Sequence, residues 1–163
     1  MDISTTDELE IVARLVLAAA VGGFVGLERE LRGYPAGIRT LALVAIGATL
    51  FTEISQLLGG NDRVAAQIVT GIGFIGAGLI FREGYTVRGI TTAATIWAVA
   101  AMGMAIGVQL YIVAISGALL LFVVLEARPL TRRFEQAIVS REEGRGTLVQ
   151  DDEDGDEPIV DED

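Results

Sequence analysis

The chain has 163 residues, of which 52% are hydrophobic and 20 are glycine, and it contains neither cysteine nor histidine. All 12 of its basic residues are arginine, and 22 acidic residues bring the net charge to −10. Without cysteine and histidine, structural zinc sites, thiol nucleophiles and Ser-His-Asp catalysis are excluded. The arginines are scattered singly, so no basic surface for nucleic acid is expected. The composition therefore predicts a protein that is not an enzyme and has no catalytic residues, metal site or cofactor.

Five apolar runs follow one another along the chain, each close to the about 20 residues that cross a bilayer. They cover residues 11–27, 38–58, 64–81, 90–107 and 108–125. The residues before the first run are acidic, whereas a cleaved signal peptide begins with positive charge. The pattern predicts an all-α membrane protein built as a bundle of five transmembrane helices.

The composition changes twice after the last run. Residues 1–127 are expected to form the transmembrane domain, and residues 128–146 form a basic segment whose apolar residues recur at helical spacing, as on a membrane surface. Residues 147–163 are predicted to be a disordered acidic tail, and 151–163 alone contain nine acids and no base. An acidic chain without lysine is typical of a halophile, and the use of arginine in place of lysine is equally typical of a GC-rich genome.

The arginines also predict the orientation of the bundle, because short cytoplasmic loops are enriched in positive residues. Ten of the 12 arginines lie in the segments that follow the first, third and fifth runs, whereas Arg63 lies on the opposite side and Arg14 lies inside the first run. We therefore expect a multi-pass protein of the plasma membrane, with its N-terminus outside and its C-terminus in the cytoplasm.

A glycine-rich stretch lies within the third run. Residues 71–76 match the dinucleotide fingerprint G-x-G-x-x-G, but they continue an apolar helix instead of following a strand. Small residues let membrane helices approach closely, so we expect the third helix to be central in the bundle. Trp97 is expected to fill the gap left by neighbouring alanines. The helix-packing residues are predicted to be Gly22, Gly26, Gly71, Gly73, Gly76, Gly78, Gly103, Gly107 and Trp97.

Polar residues within membrane spans are costly, and each is a candidate functional residue. One predicted cluster lies at the outer side and contains Glu53, Asp62, Arg63 and Gln67. It either forms a site or consists of an ion pair and a helix cap that seat the third helix. Arg14 follows Glu10 by one turn and is expected to pair with it or to extend toward the membrane surface.

A second predicted cluster lies on the cytoplasmic side. Glu28 and Glu30 are two residues apart, so a helix directs them differently, and the alternating arginines disfavour a cation site. The alternatives are a ligand site and a salt-bridged loop that anchors the orientation. The cluster contains Glu28, Arg29, Glu30, Arg39, Arg82, Glu83, Arg88, Thr91 and Thr92.

Four segments carry a family resemblance: GLERELRG at 26–33, PAGIRT at 35–40, DRVAAQIVTGIGFIGAGLI at 62–80 and VRGITTAATIW at 87–97. They resemble the MgtC/SapB family of bacterial and archaeal membrane proteins over about residues 15–125. The resemblance implies a plasma-membrane protein associated with magnesium limitation. It also implies that relatives act as regulators, including on the membrane-embedded ATP synthase, and that they carry an ACT-like cytoplasmic domain. This chain has a basic segment and an acidic tail at that position, as in a short form.

Two functions are therefore expected as alternatives. The first is a non-enzymatic regulator or interaction partner of other membrane proteins in magnesium homeostasis. The second is a Mg²⁺ transporter or transport accessory, with Glu53, Asp62 and Gln67 on the outer path and Glu28 and Glu30 on the inner path. The expected partners are the lipid bilayer, other integral membrane proteins (ATP synthase by resemblance only) and a second copy in a homo-oligomer, but not nucleic acid.

Overall fold

The computed structural model describes residues 4–60 and 62–127, and the predictions for 128–146 and 147–163 concern residues outside this part of the chain. This part of the chain contains five helices and one hairpin: α1 Thr5–Leu31, α2 Ile38–Leu57, α3 Asp62–Gly78, β1 Phe81–Glu83, β2 Thr86–Arg88, α4 Ile90–Gly107 and α5 Tyr111–Glu126. The contacts discussed below lie within the compact unit that ends at Val123. The remaining described residues, 124–127, belong to the end of α5 and the turn that follows it.

Three helices of the described residues are long and apolar enough to cross a membrane, namely α1, α2 and α4. Two shorter apolar helices, Arg63–Gly78 and Tyr111–Glu126, correspond to the third and fifth predicted spans. The mostly helical architecture and these apolar helices identify a membrane protein, whereas the full count of five spans stays a prediction.

The ends of α1 and α2 follow from local chemistry. Ser4 and Asp7 form a capping box, because the Ser4 hydroxyl accepts the Asp7 N–H and the Asp7 carboxylate accepts the Ser4 N–H. At the start of α2, the Ile38 N–H donates to the Glu30 carboxylate at 2.9 Å. A carboxylate is favourable there, since the N-terminus of a helix carries partial positive charge.

The centre of the bundle is formed by α2 and α4. Helix α1 packs against both of them, and α3 packs mainly against α4. Fully buried side chains of α2 and α4 include Leu41, Ala45, Ile96 and Val99, and α1 adds Ala18 and Val25. The expectation that the third helix is central is therefore corrected: most of its residues lie on the outside of the bundle.

Four of the predicted packing glycines lie where backbones meet. A Cβ at Gly22 would clash with the Leu41 carbonyl, and one at Gly26 would lie 2.6 Å from the Ile38 Cα. A Cβ at Gly103 would lie 2.5 Å from the Ala45 carbonyl oxygen, and one at Gly107 would lie 2.7 Å from the Thr52 Cβ. Both α1 and α4 thus use a four-residue glycine spacing to approach α2.

The glycines of α3 behave differently from the prediction. Gly76 alone among them is near another helix, with a Cβ position 3.4 Å from the Ala93 side chain. Nothing lies within 4 Å of a Cβ placed at Gly71, Gly73 or Gly78. The reason is that α3 presents only one side to α4, and these three glycines lie on its other sides.

Trp97 also differs from the expectation, because it points outward from α4 and is 54% exposed. The core-facing residues of α4 are Thr92, Thr95, Ile96 and Val99. At about 100° per residue, position 97 falls outside the stripe that these residues define. The indole therefore does not fill the gap beside the alanines.

The structure has a short antiparallel hairpin between α3 and α4 that the sequence pattern does not predict. Phe81 pairs with Arg88 and Glu83 pairs with Thr86, and all six strand residues are exposed. Gly89 connects the hairpin to α4 with φ of +90°, a conformation that side chains disfavour. The fold is thus helical except for these two three-residue strands within the described residues.

Candidate functional site

Arg14 joins three helices near the end of the bundle where α1 begins. Its Nη1 donates to Glu53 Oε1 of α2 at 2.7 Å, its Nη2 donates to Glu10 Oε2 at 3.0 Å, and its Nε donates to the Tyr111 hydroxyl of α5 at 3.0 Å. The side chains of Arg14 and Glu53 are 12% and 6% exposed. We call these four residues the Arg14 cluster. It is a buried ion pair extended by a second carboxylate and a phenol.

The structure divides the predicted outer cluster. Glu53 lies on the buried side of α2 and pairs with Arg14 of α1, whereas Gln67 of α3 lines a separate groove. Arg63 is exposed at the start of α3, which begins at Asp62. Glu53 and Gln67, which the sequence pattern places in one cluster, therefore have different surroundings.

The sequence contained a signal for the ion pair but none for the tyrosine. Arg14 lies within an apolar run, and Glu53 is a carboxylate near the same end of the second run, so the two could have been matched as buried charges. Tyr111 is the first residue of α5, and its distance of 97 residues from Arg14 leaves no local pattern.

A second cluster lies where α1 ends. Arg29 is 2% exposed, its Nη2 donates to the Thr92 hydroxyl of α4 at 2.8 Å, and its Cζ lies 3.6 Å from the centre of the Tyr34 ring. Beside it, Glu28 is buried and accepts a bond from Arg32 Nε at 2.7 Å. These five residues form the Arg29 cluster. Guanidinium groups stack well on aromatic rings, so Tyr34 supports the buried cation.

The remaining predicted residues of the cytoplasmic cluster lie apart from Arg29. Glu30 caps α2 through Ile38, so the two carboxylates of this stretch serve different partners. Arg39 and Thr91 are exposed. Arg88 lies in the hairpin, where its Nε is 3.4 Å from Glu83 Oε2, and the Arg82 side chain bonds the Gly84 carbonyl of the same hairpin.

Most of the buried side chains between the two clusters are apolar. Ala18, Val25, Leu41 and Ala45 are fully buried there, and the glycine contacts of α1 and α4 bring the backbones against α2. The Thr49 hydroxyl within this layer donates to the Gly103 carbonyl at 2.8 Å. Within residues 4–60 and 62–127, no group of three or more acidic, cysteine or histidine side chains could hold a metal ion.

A groove of about 520 Å³ opens between α2 and α3. Its walls are apolar apart from the amide of Gln67. We call it the α2–α3 groove, and it is lined by Leu43, Val44, Gly47, Ala48, Phe51, Val64, Gln67, Ile68, Gly71, Ile72 and Ile75.

The sequence model of the MgtC family matches residues 15–134 of the chain. A protein named "Protein MgtC" of Brucella abortus (strain 2308) is 52% identical over 101 residues, which cover 60% of this chain and 42% of that protein. "Putative magnesium transporter YhiD" of Escherichia coli (strain K12) is 43% identical over 129 residues, covering 72% of this chain and 60% of that protein.

"Protein MgtC" of Salmonella choleraesuis (strain SC-B67) is 40% identical over 134 residues, covering 80% of this chain and 58% of that protein. The chain thus spans from about two fifths to three fifths of the length of these relatives. No solved structure matches the chain.

Proposed function

This chain belongs to the MgtC family, and on that premise we propose that it is a non-enzymatic integral membrane protein that regulates or binds other membrane proteins in magnesium homeostasis. The link to magnesium is supported by the name of the Escherichia coli relative YhiD. Regulation is supported by the packing of the bundle.

A regulator is supported best by the closely packed, mostly apolar layer between the Arg14 cluster and the Arg29 cluster. A transported ion needs polar groups or broken helices near the middle of the membrane. Here Gly22 and Gly26 hold α1 against α2, and Gly103 and Gly107 hold α4 against α2. The buried charges of Arg14 and Arg29 are engaged within the bundle. This packing suits a rigid scaffold that presents its outer surfaces to partners.

The proposal includes the five-span arrangement in the plasma membrane. Because positive loops favour the cytoplasm, the Arg29 cluster then faces the cytoplasm and the Arg14 cluster faces outside. Other integral membrane proteins are the expected partners, among them the ATP synthase by family resemblance only. Those contacts would form on bundle surfaces, since the buried clusters serve to hold the helices together.

A Mg²⁺ transporter is the second candidate function. The printed name of YhiD favours it, and so do the two carboxylates of the Arg14 cluster, because Mg²⁺ prefers oxygen ligands. In this alternative Glu53 would release Arg14 and take part in the outer path of the ion.

The two candidates differ in Mg²⁺ flux. The purified protein is reconstituted in liposomes that contain a Mg²⁺-sensitive dye, and protein-free liposomes serve as the baseline. We expect no saturable Mg²⁺ entry above this baseline. The regulator proposal would be overturned by saturable entry that Glu53→Gln abolishes and that Glu83→Gln, a change in the exposed hairpin, leaves intact.

A regulator must also have a partner whose activity changes when the regulator is lost. Mild-detergent purification from magnesium-limited cells, followed by mass spectrometry, identifies the membrane proteins that accompany the chain. We expect at least one of them to change its activity when the chain is deleted and to regain it on complementation. Unchanged activity of every accompanying protein would contradict regulation, although it would leave membership of the family untouched.

A further inference from the structure

We propose that the α2–α3 groove, together with the stripe of α3 beside it, is the surface through which two copies of this chain pair in the membrane. The surface places an exposed amide, an exposed phenylalanine and two open glycines along one side of α3. This inference is independent of whether the protein regulates partners or moves Mg²⁺.

The groove provides the space for a second copy. It measures about 520 Å³, and it exists because α3 leans on α4 and leaves the face of α2 partly uncovered. Gly47 of α2 and Gly71 of α3 both line it, and neither has an atom within 4 Å of its Cβ position. Another helix can therefore approach both backbones closely.

Gln67 indicates that the occupant is polar at one position. Its amide lies on an exposed side of an apolar helix and is engaged in no hydrogen bond among the described residues. Lipid chains cannot satisfy an amide, whereas side-chain amides bond across neighbouring membrane helices. A carboxamide has both donors and an acceptor. Two copies of Gln67 around a two-fold axis thus complement each other.

Phe74 supplies bulk beside the groove. At about 100° per residue, Gln67, Gly71, Phe74 and Gly78 lie within about 60° of one another on α3. Phe74 is 83% exposed, and the glycines on either side of it leave open notches. In a two-fold pair, the phenyl ring of each copy packs against the open glycine positions and the groove wall of its partner.

The size of the surface agrees with a dimer. A helix of 17 residues is about 25 Å long, and two helices side by side, each about 10 Å across with its side chains, form a face about 20 Å wide. Each copy therefore offers about 500 Å². The pair buries about 1,000 Å², which is the lower bound for a specific interface. The Gln67 amide, the Phe74 ring and the open glycines all lie on one surface. The pairing is therefore isologous, which means that both copies use the same surface.

The chain contains no cysteine, so single cysteines can report on the pairing directly. Gln67→Cys and Gly71→Cys are oxidised with copper phenanthroline in native membranes, with Val16→Cys as the control. Val16 is exposed on α1 near the same end of the bundle. We expect a disulfide-linked product of about twice the 17.2 kDa chain mass for positions 67 and 71 only.

A bulky substitution then separates pairing from folding. Gly71→Leu adds volume where one copy has free space, so the monomer is expected to keep its melting temperature while the dimer fraction in proteoliposomes falls at least tenfold. Ala20→Leu, at an exposed position of α1, is expected to leave the dimer fraction unchanged. Energy transfer between labelled chains measures that fraction.

Three outcomes would overturn the proposal. The first is equal crosslinking at positions 16, 67 and 71, which would indicate random collision. The second is crosslinking of positions 67 and 71 only to a protein of another mass, which would assign the groove to a different membrane protein. The third is a folded Gly71→Leu variant that still pairs as the parent does.

Discussion

An arginine inside an apolar helix must be neutralised where it lies, because hydrocarbon offers no water. Arg14 is neutralised by Glu53, which is still more buried, and it bonds Glu10 and Tyr111 as well. One guanidinium thereby connects α1, α2 and α5. Breaking such a pair leaves an uncompensated buried charge, whereas replacing both members with apolar residues avoids that cost.

A double-mutant cycle tests this account of the Arg14–Glu53 pair. We expect Arg14→Met and Glu53→Leu each to lower the free energy of unfolding by about 3–5 kcal/mol, and the double variant to lose less than either single variant. Unfolding in mixed micelles is the measurement. Glu83→Gln, which alters the exposed Arg88 pair, should change little. Additive losses in the double variant would contradict a coupled pair.

At the scale of the helices, the α1–α2 contact depends on glycine. Gly22 faces the Leu41 carbonyl so closely that a methyl group cannot fit, whereas the Cβ position of Gly23 is 3.8 Å from the Ile38 side chain, an ordinary contact. Adjacent residues of one helix thus differ sharply in the space that they have. The difference arises because successive side chains on a helix point about 100° apart.

Gly22→Ala and Gly23→Ala form a matched pair of variants. Alanine favours the helix over glycine by up to about 1 kcal/mol at either position. We expect Gly23→Ala to keep or slightly raise the melting temperature, and Gly22→Ala to lower it, since overpacking costs about 1–3 kcal/mol. Thermal unfolding in detergent gives both values. Equal melting temperatures for the two variants would be incompatible with the close contact of α1 and α2.

The α3 helix shows what a pattern of small residues leaves undecided. Its glycines satisfy the spacing for close packing, yet only Gly76 has a neighbouring helix within the described residues. A small residue permits an approach from outside as readily as from inside the same chain. The same pattern is therefore compatible with a central helix and with a helix that contacts a second copy.

At the scale of the whole molecule, the two polar clusters lie at opposite ends of α1. The Arg14 cluster is near its beginning and the Arg29 cluster near its end, with an apolar layer between them. In the proposed orientation the clusters face opposite sides of the membrane, and the exposed arginines of the hairpin face the cytoplasm.

Reporter fusions test the orientation and the span count together. A fluorescent reporter fused after residue 145 is expected to be active in the cytoplasm, and a phosphatase inserted at Gly60 is expected to be active outside. The exchanged reporters at the same two positions serve as controls and should be inactive. Activity of both positions on one side of the membrane would contradict the five-span arrangement.

The sequence by itself determined the membrane class, the positions of the helices, the family and the glycine spacings of α1 and α4. These properties depend on local composition and on patterns within one helix, which the printed residues contain in full. The tertiary structure alone decided that α2 and α4 form the centre, that Glu53 pairs with Arg14, and that Tyr111 and Tyr34 support the two buried cations. It also decided that Trp97 and three glycines of α3 face outward. These features depend on which sides of different helices meet, and in a bundle whose helices are apolar all round, hydrophobic periodicity does not distinguish those sides.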